Sequence, residues 1–321
     1  MVMNSRRMSN IGATIIENEN LSVNIERLAA QREMYSLGKT YFNLQLIFNV
    51  LITVLLLVVG LLLNHFCEIK IDWVRTFYAF TILLIDNLVI TSLINQLRQK
   101  ASSVQEMFDC DVLNIEWNKI LVGEKPHNEE VNKFFKKHLI RAKDLNSLKN
   151  WYAISIGEIK TNAAKLICQR SNFYYDFALR NYFIRWVIGI AVALLIIIVF
   201  SSCLNDVSTR TLFISGLFPY LPILSMALRL YNEHTTSIKN LESLKSAINS
   251  AWSNLLKKEV VSEQTIRQIQ DKIFLNRKSN PLIPDKMYNK LRSNLEEQMY
   301  YSVSLLVEEY KKNTQIDRQD E

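Results

Sequence analysis

Four stretches of the chain stay apolar long enough to cross a bilayer, and they fall in two pairs. Residues 44–63, LQLIFNVLITVLLLVVGLLL, carry no charge. About 20 helical residues at ~1.5 Å rise match a hydrocarbon layer ~30 Å thick. Residues 73–94, WVRTFYAFTILLIDNLVITSLI, are long enough but contain Arg75 and Asp86. Residues 186–204, WVIGIAVALLIIIVFSSCL, are again uncharged, and 211–228, TLFISGLFPYLPILSMAL, are interrupted by Pro219 and Pro222. Connections as short as 64–72 and 205–210 make each pair a membrane hairpin rather than two buried soluble helices.

Between and after the pairs the pattern turns polar with helical periodicity. Asn128 is placed to cap a helix over 128–149, with Glu129 and Glu130 at its positive end. Val131, Phe134, Phe135, His138 and Leu139 then form one apolar stripe. Residues 232–258 and 263–276 read as amphipathic helices, NRKSNPLIPD as a break, and 286–312 as a last helix with Asp285 at its cap. The fold class expected is therefore an all-α integral membrane protein with four transmembrane helices as two hairpins. Residues 1–43 form a cytoplasmic N-terminal amphipathic helix, 44–94 hairpin 1, 95–182 a cytoplasmic helical segment, 183–228 hairpin 2 and 229–321 a cytoplasmic helical tail.

Basic residues near the span ends set the orientation. Arg27, Arg32, Lys39, Arg98, Lys100, Lys165, Arg170, Arg180, Arg185, Arg229, Lys239 and Lys245 lie on one side, and only Lys70 and Arg210 lie in the short connections. Both termini are thus expected in the cytoplasm of a multi-pass membrane protein. Trp73, Tyr182 and Trp186 suit the interfacial aromatic belts.

Polar residues inside the spans are the candidate site. Gln45, Asn49 and Thr53 recur every four residues on the first span, and Asn87, Thr91 and Asn95 on the second. Counting back from the connection aligns Thr53 with Asn87, Asn49 with Thr91, and Gln45 with Asn95. Such faces either hydrogen-bond across helices, for about 0.6 kcal/mol each, or line a wet path. Asp86, about 100° round the helix from Asn87, borders this face, and a carboxylate at that depth costs about 2.5–3.5 kcal/mol. Arg75 lies about 16 Å away along the same helix and is expected to snorkel outward. Asp86 is then protonated, hydrated or paired with another subunit. Asn49, Thr53, Asp86, Asn87 and Thr91 are the candidate pore-lining or intersubunit residues. Four spans are few for a pore in one chain, so a homo-oligomer follows. Pro219 and Pro222 free carbonyls near Ser215 and Phe218, as a kink or a hinge.

Composition narrows the choice further. Seven Gly and five Pro in 321 residues favour long helices, and a net charge of +7 here reports orientation before nucleic acid. Four cysteines without a CxxC exclude a disulfide framework or a zinc cluster, although Cys67 and Cys203 at the outer span ends are a conceivable pair. Asp109, Asp111 and Glu116 offer carboxylates for a divalent ion or a membrane-tethered enzyme, but the further ligands such a site needs are missing. No catalytic motif, metal site or cofactor motif is recognised. Arg277, Lys278, Lys286 and Arg292 make a basic patch beside a helix start, suited to phosphate, to lipid headgroups or to internal salt bridges.

The segments NIERLAAQREMYSLGK (24–39), FDCDVLNIEWN (108–118), LKNWY (148–152), CQRSNFYYDFALR (168–180) and QDKIFLNRKSNPLIPDKMYNKLR (270–292) resemble, in order, the SMODS-associated four-transmembrane effectors. LKNWYAIS departs from that pattern by lacking a Pro soon after the Trp-Tyr pair. The resemblance implies a non-enzymatic, pore-forming effector of a bacterial antiviral (abortive infection) system of the CBASS type. A cyclic oligonucleotide made by a neighbouring nucleotidyltransferase would activate it, and the bacterial inner membrane, where the resemblance places it, would then leak. It supplies no site residues. A non-conducting membrane scaffold or sensor that docks a partner is the alternative.

Overall fold

In the computed structural model the described residues are 12–142, 144–171, 176–204, 208–257 and 259–316. Among them the chain is helical, with no strand. Helix α1 (Ala13–Glu19) precedes α2 (Ser22–Cys67) and α3 (Asp72–Leu113). Then follow α4 (Lys119–Val122), α5 (Asn128–Ala142), α6 (Thr161–Ser171), α7 (Asp176–Leu204), α8 (Thr209–Leu256), α9 (Glu263–Ser279) and α10 (Asp285–Ile316). Helices α2, α3, α7 and α8 are each long and apolar enough to span a membrane, so the chain is a multi-pass membrane protein. The divisions expected at 43/44, 94/95 and 228/229 fall inside α2, α3 and α8. No Gly or Pro stands at those points, and the polar residues there continue a helix as readily as the apolar ones.

Burial in the apolar windows is inverted relative to a soluble bundle. Only 6% of the α7 window and 39% of the α8 window is buried within the chain. Leu51, Phe77, Leu88 and Phe200 are exposed, as expected where lipid rather than protein covers them. The polar half has an ordinary interior. One large cluster joins α1, the start of α2, the end of α3, α6, the end of α8, α9 and α10 around Leu28, Phe108, Leu148, Ile167, Leu241 and Ile266. A second cluster packs α5, through Val131 and Phe134, on Ala30, Met34, Ala101 and Val104 of α2 and α3. Helix α5 is shorter than its periodicity predicts. It ends at Ala142, and the carboxylate of Asp144 accepts the Asn146 N–H (2.8 Å) to start a separate turn. Asn128 is its first helical residue rather than its cap, because the His127 carbonyl already accepts from Glu130 and Val131.

Arg75 does not snorkel. It is 5% exposed, pairs with Asp72, and lies flat against Gly60. A Cβ on Gly60 would stand 2.8 Å from the Arg75 Nη1, so glycine is what lets the guanidinium approach α2. Three of the long helices also contain π turns, at Ile47–Ile52, Asp86–Ile90 and Leu212–Leu217. The last lies just ahead of Pro219 and Pro222, where the sequence suggested a kink or a hinge, and α8 runs on through both prolines. Irregular backbone at membrane depth needs protein partners. Tyr78 Oη donates to the Phe48 carbonyl (2.7 Å) and Thr76 Oγ1 to the Ile214 carbonyl (3.1 Å).

The polar half carries its own buried charges. Glu19 is 1% exposed, and its Oε2 accepts the Tyr152 N–H at 2.9 Å. Burial outweighs that bond and raises its carboxyl from 4.5 to about 7. A folded pKa above the unfolded one means that the folded chain binds more protons in this interval. The stabilisation is full below pH 4.5 and is lost as pH rises through 7. Glu19→Gln removes this contribution. The melting temperature of the wild type relative to Glu19→Gln, followed in detergent across that interval, should fall as pH rises.

Candidate functional site

The polar residues of the spans converge on one carboxylate. Asp86 is 1% exposed, and both of its oxygens are used. Gln45 Nε2 of α2 donates to Oδ1, and Arg229 Nη2 of α8 donates to Oδ2 at 2.9 Å. Thr91 Oγ1 accepts from Gln45 Nε2 (3.1 Å) and Arg229 Nη1 (2.9 Å), while Asn87 Oδ1 accepts from Arg229 Nη1 (3.3 Å). The ion pair is thus closed by hydrogen bonds from three helices. In low-dielectric surroundings that is the condition for keeping both charges.

Two features of the backbone create this arrangement. Helical Cα–Cβ bonds tilt toward the N-terminus, so Arg229, just past the apolar end of α8, leans back toward the membrane-spanning half and reaches Asp86. The π turn at Asp86–Ile90 adds a residue to the helical turn, which stacks Asp86 over Thr91 five positions later. Asp86 therefore takes the face toward α2, and Asn87 is turned to the exposed side.

The expected register is corrected accordingly. Gln45 meets Asp86 and Thr91, not Asn95, whereas Asn95 accepts from Arg98 at 2.9 Å. Asn49 and Thr53 are 1% and 2% exposed but bond back to their own helix, at the Gln45 carbonyl (3.0 Å) and the Phe48 carbonyl (3.4 Å). Asp86 also has a cation within its own chain. The residue that sequence reasoning missed is Arg229, which had been grouped with the basic residues outside the membrane. The signal that could have found it is the N-terminal tilt of a basic side chain at a span end, aimed at a span with an unmatched carboxylate.

A model of the SMODS-associating 4TM effector domain matches residues 13–306. The chain belongs to this family. A probable CBASS effector molecule of Bacillus cereus strain VD146 is 27% identical over 280 residues, covering 85% of this chain and 92% of the relative. No solved structure matches.

The segments that carry the resemblance meet in the effector's polar half. Asp109 of FDCD, 0% exposed, accepts from Tyr152 Oη (3.2 Å), Gln270 Nε2 (2.9 Å) and Arg277. Glu106 accepts from Gln270 Nε2 at 2.9 Å and pairs with Arg267 at 2.5 Å. Charged pairs thus zip α9 to α3. Arg277 is committed to this zipper and does not stand with Lys278 and the exposed Lys286 as a surface patch. The side chain of Arg292 lies outside the described residues. Asp109 and Asp111 diverge, the latter pairing with Arg27. Among the described residues no group of His, Cys, Asp and Glu could hold a metal ion. Cys67 and Cys203 are exposed free thiols.

Removing one member of the membrane ion pair leaves the other charge buried. Asp86→Leu and Arg229→Leu should each destabilise the effector by about 3–5 kcal/mol, and the double variant should recover most of that loss. Denaturation of all four proteins in detergent closes the cycle.

Proposed function

We propose that this protein is a CBASS effector that permeabilises the bacterial inner membrane when a cyclic oligonucleotide, made by an associated nucleotidyltransferase, reaches its cytosolic half. The observation that carries the reading is the Asp86–Arg229 pair with Gln45 and Thr91, a hydrogen-bonded polar seam buried among membrane-spanning helices. Membership of a 4TM effector family and likeness to a probable CBASS effector molecule support it.

In this reading the seam is closed in the resting chain. Activation parts α2, α3 and α8 and assembles several copies. Asn49, Thr53 and Asp86, now buried, then turn toward water together with Asn87 and the half-buried Thr91. A ring of one Asp86 per copy would favour cations. Both termini lie in the cytosol, and no catalysis is required.

The test is membrane potential in bacteria producing the protein with a cyclic-oligonucleotide synthase. Depolarisation should precede loss of viability. In planar bilayers, Asp86→Asn should lower cation-over-anion selectivity. Death with an intact potential would overturn the proposal in favour of a non-conducting scaffold.

A further inference from the structure

The turn between α9 and α10, NPLIPD at 280–285, was expected to be a simple break. Instead it is driven into the bundle where the four long helices leave the apolar zone. Leu282 and Ile283 are 9% and 6% exposed. They pack with Phe42 of α2, Ile94 of α3, Leu179 and Phe183 of α7, and Met226 and Leu230 of α8. Gly38 of α2 makes room, since a Cβ there would stand 3.0 Å from the Leu282 Cδ1.

The backbone of this turn is built for burial. Pro281 and Pro284 have no N–H to satisfy. The Asn280 carbonyl accepts from Arg98 Nη1 (3.1 Å) and the Pro281 carbonyl from Arg180 Nη1 (3.1 Å). Asn280 Nδ2 donates to Asp176 Oδ2 at 2.7 Å, and its Oδ1 accepts from Ser237. Lys39 pairs with Asp285 at 2.5 Å. Arg180 is itself held by Asp176 and by the fully buried His234, whose Nδ1 lies 3.2 Å from the guanidinium. Every one of the four long helices therefore grips the same turn. An ordinary surface connection has no use for such contacts. The turn continues directly from α9, which is zipped to the end of α3.

We propose that the 280–285 turn is an autoinhibitory plug, which holds the cytosolic ends of α2, α3, α7 and α8 together at rest and is withdrawn by movement of α9. This rests on the permeabilising function proposed above, and it names the contact that keeps the closed chain closed. While the plug is seated, α2, α3 and α8 cannot part along the Asp86 seam, because all three are pinned to one loop.

The full-length protein in dye-loaded phospholipid vesicles tests this, with a panel of cyclic dinucleotides and cyclic trinucleotides as probes. Leu282→Ser with Ile283→Ser should release dye at least about tenfold faster than wild type with no nucleotide added. Because that variant risks misfolding, its melting and elution are compared with wild type. A second variant locks the plug: Gly38→Cys with Leu282→Cys, in a Cys67→Ser, Cys203→Ser background, joined by a short cleavable thiol cross-linker. It should stay tight with nucleotide and leak once the linker is cleaved. Where wild type leaks with a nucleotide, a folded serine variant as tight as wild type without one, or a cross-linked protein that still leaks with it, would overturn the plug and leave the pore standing. If wild type stays tight with every nucleotide and the serine variant is tight as well, both readings fall.

Discussion

A carboxylate among membrane-spanning helices has to be matched, and the way Asp86 is matched organises the rest of the molecule. Its partner Arg229 comes from the last of the four long helices, and a further donor, Gln45, comes from the first. One side chain thus ties three helices at one depth. Such a pair adds little net stability compared with well-packed apolar residues, but breaking it is costly. That asymmetry suits a seam with one closed arrangement.

Helix α3 extends this constraint out of the membrane. Thr91, Asn95, Arg98, Ser102, Glu106 and Asp109 follow at three- and four-residue intervals on one face. From Asp86 to Asp109 the helix covers about 35 Å. Partners come in turn from α8, from the 280–285 turn and from α9. Glu233 of α8 sits in the electrostatic field of both Arg98 and Arg229, and burial raises its carboxyl above the usual range. The polar half and the membrane half are therefore not separate modules joined by linkers. They share continuous helices and one line of charged contacts.

The π turns show what this costs locally. Each adds a residue where a polar group must face inward or where proline prevents regular bonding, and Tyr78 and Thr76 of α3 bond to carbonyls within two of them. Gly60 plays a comparable part for Arg75, since only a missing side chain lets the guanidinium lie on α2.

Much of this was legible in the amino-acid order. Runs of apolar residues placed the four long helices, because only a bilayer rewards about 20 such residues in a row. The scarcity of Gly and Pro predicted an all-helical chain, and the ordered segments from NIERLAAQ to QDKIFLNRK pointed to the effector family. Periodicity also singled out Gln45, Asn49, Thr53 and Asp86 as inward-facing or adjacent to that face. It set Asn87 on that face and Asp86 beside it, whereas Asp86 is the buried one and Asn87 is exposed, because a regular 3.6-residue repeat cannot foresee the extra residue of a π turn. Nor could it pair Asp86 with Arg229, 143 positions away. That contact depends on how the long helices meet and on the N-terminal lean of one arginine. The seating of Pro281–Pro284 in the bundle was equally hidden, since a proline-bounded turn reads the same whether it faces water or fills a gap between helices. Local sequence set which segments are helical and apolar, and tertiary packing decided which charges meet.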